Sequence, residues 1–314
     1  MLNLQAVVVA YNRRELLGEA LAAVTRQTRP LDGLHVIDNA STDGTSDMVS
    51  AEFPDVVLHT LPSNTGGAGG FAAGIAFALA AGADLVWLMD DDTVPSPTAL
   101  EELLLAHHEY PGSTPAGIAS KVVWTDGRDH PMNTPRPRPG AGRADFAAAA
   151  AVGCVPVRSA SFVSLIVAAD AVRAVGLPEA DFFLWNDDFE FSTRLLRDRV
   201  GLYCPASVVE HRTKTFGSTD ADPGERFYFE VRNKVWTFTR SDGLAPTEKV
   251  LYAGSTLRRW IRTFAASEQR GLLLSGLRRG LVDGARHAPR DVHDVMAAAG
   301  APIPSVTTSE QSPS

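Results

Sequence analysis

The first hundred residues alternate short apolar runs with segments of helical spacing. Gln5–Ala10 (QAVVVA), Leu34–Asp38, Val56–Leu61 and Leu85–Met89 are continuous runs of strand length. Between them lie helical patterns from Arg14 to Thr25, from the polar stretch Asp38–Gly44 to about Glu52, and through an alanine-rich segment that the loop Pro62–Gly70 introduces and that ends near Gly82. A further helix is predicted from Pro97, since proline suits a first helical turn. Strands alternating with helices at this spacing predict an α/β domain on a largely parallel sheet. Ligands of such sheets sit beyond the carboxyl ends of the strands. The pattern alone therefore gathers Ala10–Asn12, Asp38–Asn39, Asn64–Gly70 and Asp90–Asp92 around one crevice.

The second half is less regular. Thr125–Arg143, rich in Pro, Gly and Arg, reads as a loop. A strand over Ser161–Val167 precedes a short helix from Asp170, and Asp181–Asp188 passes into a helix reaching about Arg199. Leu202–Val209 reads as a strand closing on Glu210 and His211, and Glu225–Arg240, Thr247–Ala266 and Gly271–Arg286 as helices. The expected organisation is an α/β domain over residues 1–240, a basic helical region over 241–300, and a Pro/Ser/Thr-rich disordered tail over 301–314.

Composition narrows the class. A chain of 314 residues that is 45% hydrophobic and 21% charged is an ordinary globular protein, long enough to bury a core without staples. Cys154 and Cys204 lie in apolar stretches and read as buried, reduced thiols. No apolar run approaches the ~20 residues of a membrane span, and Met1–Ala10 has no basic leader, so a cytoplasmic protein is expected. A net charge of −8 speaks against a nucleic-acid partner, but it is unevenly placed. Glu248–Arg290 holds nine Lys/Arg against three Asp/Glu, so the rest of the chain carries the whole −8 and six charges more.

Three carboxylates, Asp90–Asp92, follow the fourth strand directly. They repel one another, and a hard divalent cation relieves that repulsion. Asp90 and Asp92 can point to one side while Asp91 turns away; solvation or helix capping is the competing reading. Asp187-Asp188-Phe189-Glu190 opens a helix, where the dipole favours acids whatever their role. The preceding Phe182, Phe183, Leu184 and Trp185 would desolvate a carboxylate and raise its pKa toward that of a general base. His211, in a Glu-His-Arg run, is either structural or a third metal ligand, and imidazole shifts the ion toward Mn²⁺, with Mg²⁺ also open. Gly67-Ala68-Gly69-Gly70-Phe71-Ala72 fits G-x-G-x-x-A and raises an NAD-dependent dehydrogenase, although it follows the third strand rather than the first. A helix start behind glycines would equally hold a diphosphate.

Taken together, Val7–Arg13 (VVVAYNR), Asp38–Gly44 (DNASTDG), Asn64–Phe71 (NTGGAGGF), Trp87–Asp92 (WLMDDD) and Asp187–Phe191 (DDFEF) resemble a family 2 glycosyltransferase of GT-A type. The resemblance covers about Leu4 to Thr239. Within that family the glycine-rich loop and Arg232-Asn233 are most similar to galactofuranosyltransferases of cell-wall galactan synthesis, while rhamnosyltransferases using dTDP-rhamnose share much of the pattern.

The resemblance implies a GT-A, Rossmann-like central sheet flanked by helices, with a C-terminal helical extension. It implies Asp90, Asp92 and His211 as ligands of Mn²⁺ or Mg²⁺. Asp188 would be the base of an inverting transfer, beside Asp187 as the second acid of the pair. Ala10, Asn12, Asp38, Asn64, Gly69, Gly70 and Asp91 would contact a nucleotide-diphospho-sugar donor, a UDP-sugar in the first instance. Trp185, Arg232 and Asn233 would meet the acceptor or a phosphate, Arg232 being equally readable as a structural ion pair. The acceptor would be a glycan, free or polyprenyl-diphosphate-linked. The arginines interleaved with Leu, Trp, Ile and Phe in Leu257–Phe264 and Leu272–Arg279 either stand in water on packed helices or lie on an anionic bilayer, placing the protein peripherally on the inner face of the cell membrane. Arg258, Arg259, Arg278 and Arg279 are expected outside the metal crevice. A non-catalytic membrane-surface module would leave the acidic clusters without a task.

Overall fold

The chain begins with β1 (Leu4–Ala10), buried along its whole length, and continues through α1 (Arg14–Val24), β2 (Gly33–Asp38), α2 (Thr45–Glu52), β3 (Val57–Thr60), α3 (Gly66–Ala80) and β4 (Leu85–Asp90). There follow β5 (Thr93–Pro95), α4 (Ala99–Glu109), β6 (Gly117–Val123), β7 (Arg136–Pro137), α5 (Arg143–Ala151), β8 (Val155–Ser159), β9 (Leu165–Ala168), α6 (Ala169–Val175), α7 (Asp187–Leu195) and β10 (Gly201–His211). Four helices close the chain: α8 (Phe227–Thr239), α9 (Pro246–Ala266), α10 (Arg270–Arg286) and α11 (Val292–Ala298). This computed structural model describes residues 2–216 and 222–306.

All ten strands join one sheet, ordered β3-β2-β1-β4-β9-β6-β10-β8-β7, with β5 paired to β10. Its first half, β3-β2-β1-β4, is parallel as expected. Beyond β4 the sheet is mixed: β9 runs antiparallel to both β4 and β6, and β10 is parallel to β6 but antiparallel to β8 and β5. Strands buried on both faces read as uniform apolar runs in either direction, so periodicity does not encode this reversal.

The glycine run is a helix, not a loop. α3 starts at Gly66 and lies so close to the sheet that a Cβ on Gly70 would stand 2.5 Å from Val9 Cγ1, and one on Gly74 2.2 Å from Val7 Cγ1. The expected dinucleotide fingerprint is thus a packing seam between helix and sheet, one of the tasks glycine performs in such contacts.

The C-terminal helices differ in how they are held. Gly276, Gly280 and Gly284 of α10 form a buried stripe against α8, where a Cβ would meet Tyr228 N, Val231 and Val235 at 3.2 Å or less. Buried Arg158 on β8 donates to Thr193 O (2.5 Å), to Gly243 O and to Glu248 (2.8 Å), fixing the start of α9. Along α9 itself only Thr256 is buried. The tail is ordered for longer than its composition implies: Ala301 is buried and Ile303 and Val306 pack on the core, the remainder of the expected tail lying outside the described residues. Helix α11 was not legible either. It is short, and its apolar contribution is chiefly Met296, which is fully buried.

Candidate active site

The end of β4 delivers Asp90, and the turn into β5 carries Asp91 and Asp92 across to β10. Antiparallel pairing of β5 with β10 sets His211 opposite Thr93, and Arg212 N donates to Asp92 O (2.9 Å). Asp90, Asp92 and His211 therefore offer three donor atoms within 4.8 Å of one another. His211 Nδ1–H donates to Asn133 Oδ1 (2.9 Å), which turns Nε2 toward Asp92 Oδ1, 3.1 Å away. Two lone-pair atoms at that separation need positive charge between them, a proton on Nε2 or a cation. Asp92 Oδ1 is buried with no aligned hydrogen-bond donor, as a ligand oxygen would be. The donor set of two carboxylates and one imidazole fits Mn²⁺ or Mg²⁺.

Burial and the neighbouring Asp92 push the Asp90 carboxyl up to about 6. Burial likewise drives Asp91 up to about 7. Burial also opposes ionisation of Asp92, but the close approach and charge of His211, with Arg13, outweigh it and hold Asp92 low. Arg13 bridges Asp91 (3.2 Å) and Asp92, and is the cation that makes the metal-free triplet tolerable.

Asp187 and Asp188 open α7 beside this cluster. The segment leading to them is contorted: Phe183, Trp185 and Asn186 all have positive φ, at 62°, 67° and 66°. Such backbone persists only where its surroundings over-determine it. Here Asn233, buried in α8, donates its amide to Phe182 O (2.9 Å), Leu184 O (2.9 Å) and Trp185 O (2.8 Å). Arg232 donates to Asp181 O (2.7 Å), Phe182 O (3.1 Å) and Asn233 Oδ1 (3.0 Å), and stacks on Trp236 at 4.3 Å. From the other side Ala68 N donates to Phe183 O (3.3 Å), and a Cβ on Gly66 would lie 2.0 Å from that oxygen. Burial raises Asp188, and burial together with Asp188 raises Asp187 well above the carboxylate range.

Several expected donor contacts are instead parts of the scaffold. Asp38 is fully buried, accepting from Ser41 N (2.9 Å) and the Ser46 hydroxyl, so it shapes the loop before α2 and does not reach the crevice surface. Asp91 accepts from Tyr11 N (3.0 Å) and braces the end of β1. Gly69 and Gly70 are buried within α3. Arg232 and Asn233 hold the loop before Asp188 by hydrogen bonds to its carbonyls. Ala10 is buried, its carbonyl accepting from Asn39 N (2.9 Å). Asn12 and Asn64 do stand exposed at the crevice, Asn12 accepting from Thr42 N (2.7 Å) and Asn64 from Gly66 N (2.8 Å).

On the far side of Asp188 opens a cavity of about 570 Å³, with Trp185, Arg136, Lys234, Glu230 and Arg259 among its lining residues. Arg259, expected outside the metal crevice, lines this cavity and pairs with Glu230. Sequence reasoning also missed Asn133, Arg136 and Lys234. The first two lie in the Pro/Arg loop, where no periodicity marks them, and Lys234 reads as an ordinary helix lysine.

This arrangement fits a glycosyltransferase: an acidic cluster that could hold a metal at the end of a parallel half-sheet, a buried acid pair beside it, and an adjoining cavity. The family model "Glycosyl transferase family 2" matches residues 5–157. Galactofuranosyltransferase GlfT1 of Mycolicibacterium smegmatis is 35% identical over 203 residues, 61% of this chain and 65% of that protein. GlfT1 of Mycobacterium tuberculosis (strain H37Rv) is 30% identical over 259 residues, 75% of this chain and 82% of that protein. The chain belongs to glycosyltransferase family 2 and resembles its galactofuranosyltransferases. Among solved structures, S. aureus TarS 1-349 in complex with UDP-GlcNAc superposes with a TM-score of 0.60 at 17% identity, covering 94% of this chain and 84% of that one. The mannosyltransferase PcManGT from Pyrobaculum calidifontis, in complex with GDP-Man and Mn²⁺, gives 0.54 at 18% identity, covering 95% and 79%. The fold is GT-A.

The Asn233 clamp generates a prediction. Asn233→Ala takes the amide donor from Leu184 O and Trp185 O, leaves Phe182 O to Arg232 and Leu184 N and lets Asp188 drift, and a misplacement near 1 Å costs about 10²-fold in rate. The expected result is kcat lowered by that factor with donor KM nearly unchanged. Steady-state kinetics checks it, and a loss confined to donor KM would contradict the positioning role.

Proposed function

We propose that the protein is an inverting, metal-dependent transferase that moves galactofuranose from UDP-galactofuranose to a glycan or lipid-linked glycan acceptor in cell-wall or surface polysaccharide assembly. The observation that carries this reading is that Asp188 acts electrostatically on Asp90 of the Asp90/Asp92/His211 cluster and also lines, with Trp185, the adjoining cavity. Asp90, Asp92 and His211 would hold Mn²⁺ or Mg²⁺, whose chemistry is to neutralise charge on a diphosphate leaving group. Asp188 takes the proton of the acceptor hydroxyl as that oxygen bonds to the anomeric carbon and the bond to the UDP oxygen breaks on the opposite face. One displacement inverts the centre, with no covalent intermediate. Burial and the neighbouring Asp188 raise Asp187 well above its ordinary value, so of the pair Asp188 is the one assigned as the base. Asn12 and Asn64 remain as exposed contacts for the nucleotide. The likeness to the two GlfT1 proteins supports galactofuranose as the sugar.

Membrane docking is the second element of this reading. Val250, Leu257 and Ile261 repeat along α9 at helical spacing and are exposed at 73%, 58% and 61%, with Leu251 beside them and Arg258 and Arg262 in water along the same helix. A helix packed on the catalytic domain would bury this row, so the bilayer reading fits it better than simple packing. No helix among the described residues is long and apolar enough to cross a membrane. On this reading α9 is a peripheral membrane contact, with Arg259 and Trp260 of the same helix lining the cavity beside Asp188.

The reaction is tested by incubating the protein with a panel of nucleotide sugars, Mn²⁺ and a synthetic rhamnosyl-GlcNAc lipid acceptor. UDP-galactofuranose is expected to turn over, EDTA to abolish turnover, and Asp188→Asn to lower kcat by about 10³-fold. Turnover with dTDP-rhamnose alone would reassign the donor, and UDP release indifferent to EDTA or to Asp188→Asn would remove the mechanism.

The pH dependence follows from the raised Asp188. The base works only when ionised, so rate falls as pH drops through its pKa. With that pKa pushed upward by burial, the acid limb of kcat is expected above the ~4 of a free carboxylate. A limb at or below that value, read from kcat at saturating donor, would contradict the assignment.

For docking, binding to phosphatidylglycerol vesicles should weaken with salt and fall in the triple variant Arg258→Gln, Arg262→Gln, Arg278→Gln, by about 1 kcal/mol per charge. Activity on a short soluble acceptor should persist in that variant. Equal loss on soluble and lipid acceptors would mean that these arginines support the fold.

A further inference from the structure

We propose that Lys234, with Arg136, forms an anion subsite on the acceptor side of Asp188, and that it takes a phosphate group carried by the acceptor. The inference rests on Asp188 being the base but not on which sugar is transferred. Lys234 is 5% exposed, lines the cavity beyond Asp188, and its Nζ makes no hydrogen bond or ion pair with any described residue; its close contact is the Phe189 ring, 4.1 Å from centroid to nitrogen.

The ordinary partner would be Glu230, one helical turn earlier on α8. Glu230 is already spent: Oε1 accepts from Arg259 and from Trp260 Nε1 (3.1 Å), and Oε2 from Asn186 Nδ2 (2.8 Å). Arg136 is also without an ion pair, its guanidinium stacked 5.2 Å from the Phe189 centroid and 5.3 Å from that of Tyr252. The remaining lining acid, Asp222, is exposed and accepts from Ser267 and from Gly224 N (3.2 Å). Two unpaired cations thus face one carboxylate that must stay free to accept a proton.

A buried ammonium that no carboxylate bonds directly is costly to keep, and burial lowers Lys234 to about 8 although the charges of Glu230 and Asp188 act the other way. An anionic ligand removes that cost. Phosphate suits the pair better than carboxylate, because its oxygens meet a point-charge ammonium and a planar guanidinium together while balancing both charges.

The experiment is a titration of tryptophan fluorescence, since Trp185 and Trp260 line the cavity, in EDTA and without donor. The probes are octyl phosphate and octanoate, both below micelle formation. Octyl phosphate is expected to bind saturably and octanoate much more weakly. Lys234→Gln should weaken octyl phosphate by more than about tenfold, and Lys234→Arg should retain most of the affinity, which separates charge from folding. Equal binding of both probes would overturn the choice of phosphate, and unchanged affinity in Lys234→Gln would overturn the subsite. A shift of the kcat acid limb on a neutral acceptor in Lys234→Gln, with phosphate binding intact, would mean that the lysine serves Asp188 instead. Because neither donor nor metal is present, failure here leaves glycosyl transfer standing, and failure of glycosyl transfer leaves this binding to be judged separately.

Discussion

Everything about this site follows from confining like charges. Asp90, Asp91, Asp92, Asp187 and Asp188 converge on one partly buried crevice, where each ionisation raises the cost of the next. The protein answers with Arg13 and His211 against the triplet, and by letting burial keep part of the set protonated. A divalent cation bound by Asp90, Asp92 and His211 would draw those carboxylates to their ionised forms and make the crevice receptive to a diphosphate. The acid pair on α7 stands apart from that cation set and retains its own raised affinity for protons. On the reading proposed above, one crowded electrostatic region would thereby be divided into a charge-neutralising half and a proton-accepting half.

How much of this was legible in the sequence depends on whether a role is local or borrowed. The strand ends and the acidic runs are local, and the apolar run before Asp90 and the helix start at Asp187 placed both correctly. His211 was readable only as one of two alternatives, because its meaning comes from β5, a three-residue strand too short to leave a pattern. Asn233 and Arg232 illustrate the opposite error. Their motif pointed to the site, but polar residues near an active site support it as often as they contact ligand, and only the carbonyls they meet distinguish the two. The glycine run misled for a related reason: glycine marks close approach, and here what approaches is Val7, Val9 and the carbonyl of Phe183 rather than a phosphate.

The C-terminal helices show that an appended region need not be peripheral to chemistry. α8 supplies Asn233, Lys234 and Glu230 to the site from one face and receives the glycine stripe of α10 on another. The boundary near residue 240 suggested by composition and charge therefore crosses a continuous packed unit. Charge segregation described the surface correctly, but the packing beneath it is a matter of small residues, to which net charge is blind.

The attachment of α9 has a consequence of a different kind. This helix is fixed by Arg158 to Glu248 at its start and by Arg259 to Glu230 near its middle, with Thr256 its one buried residue. Tyr252, Trp260 and Phe264 add ring contacts to Phe189 and Phe227, but an element with one buried residue opens at a lower free energy than a fully buried strand such as β1. The cavity beside Asp188 is accordingly walled on one side by the sheet and on the other by this looser helix. Breathing of that outer wall would open the cavity sideways, so that whatever enters need not be threaded through a fixed opening.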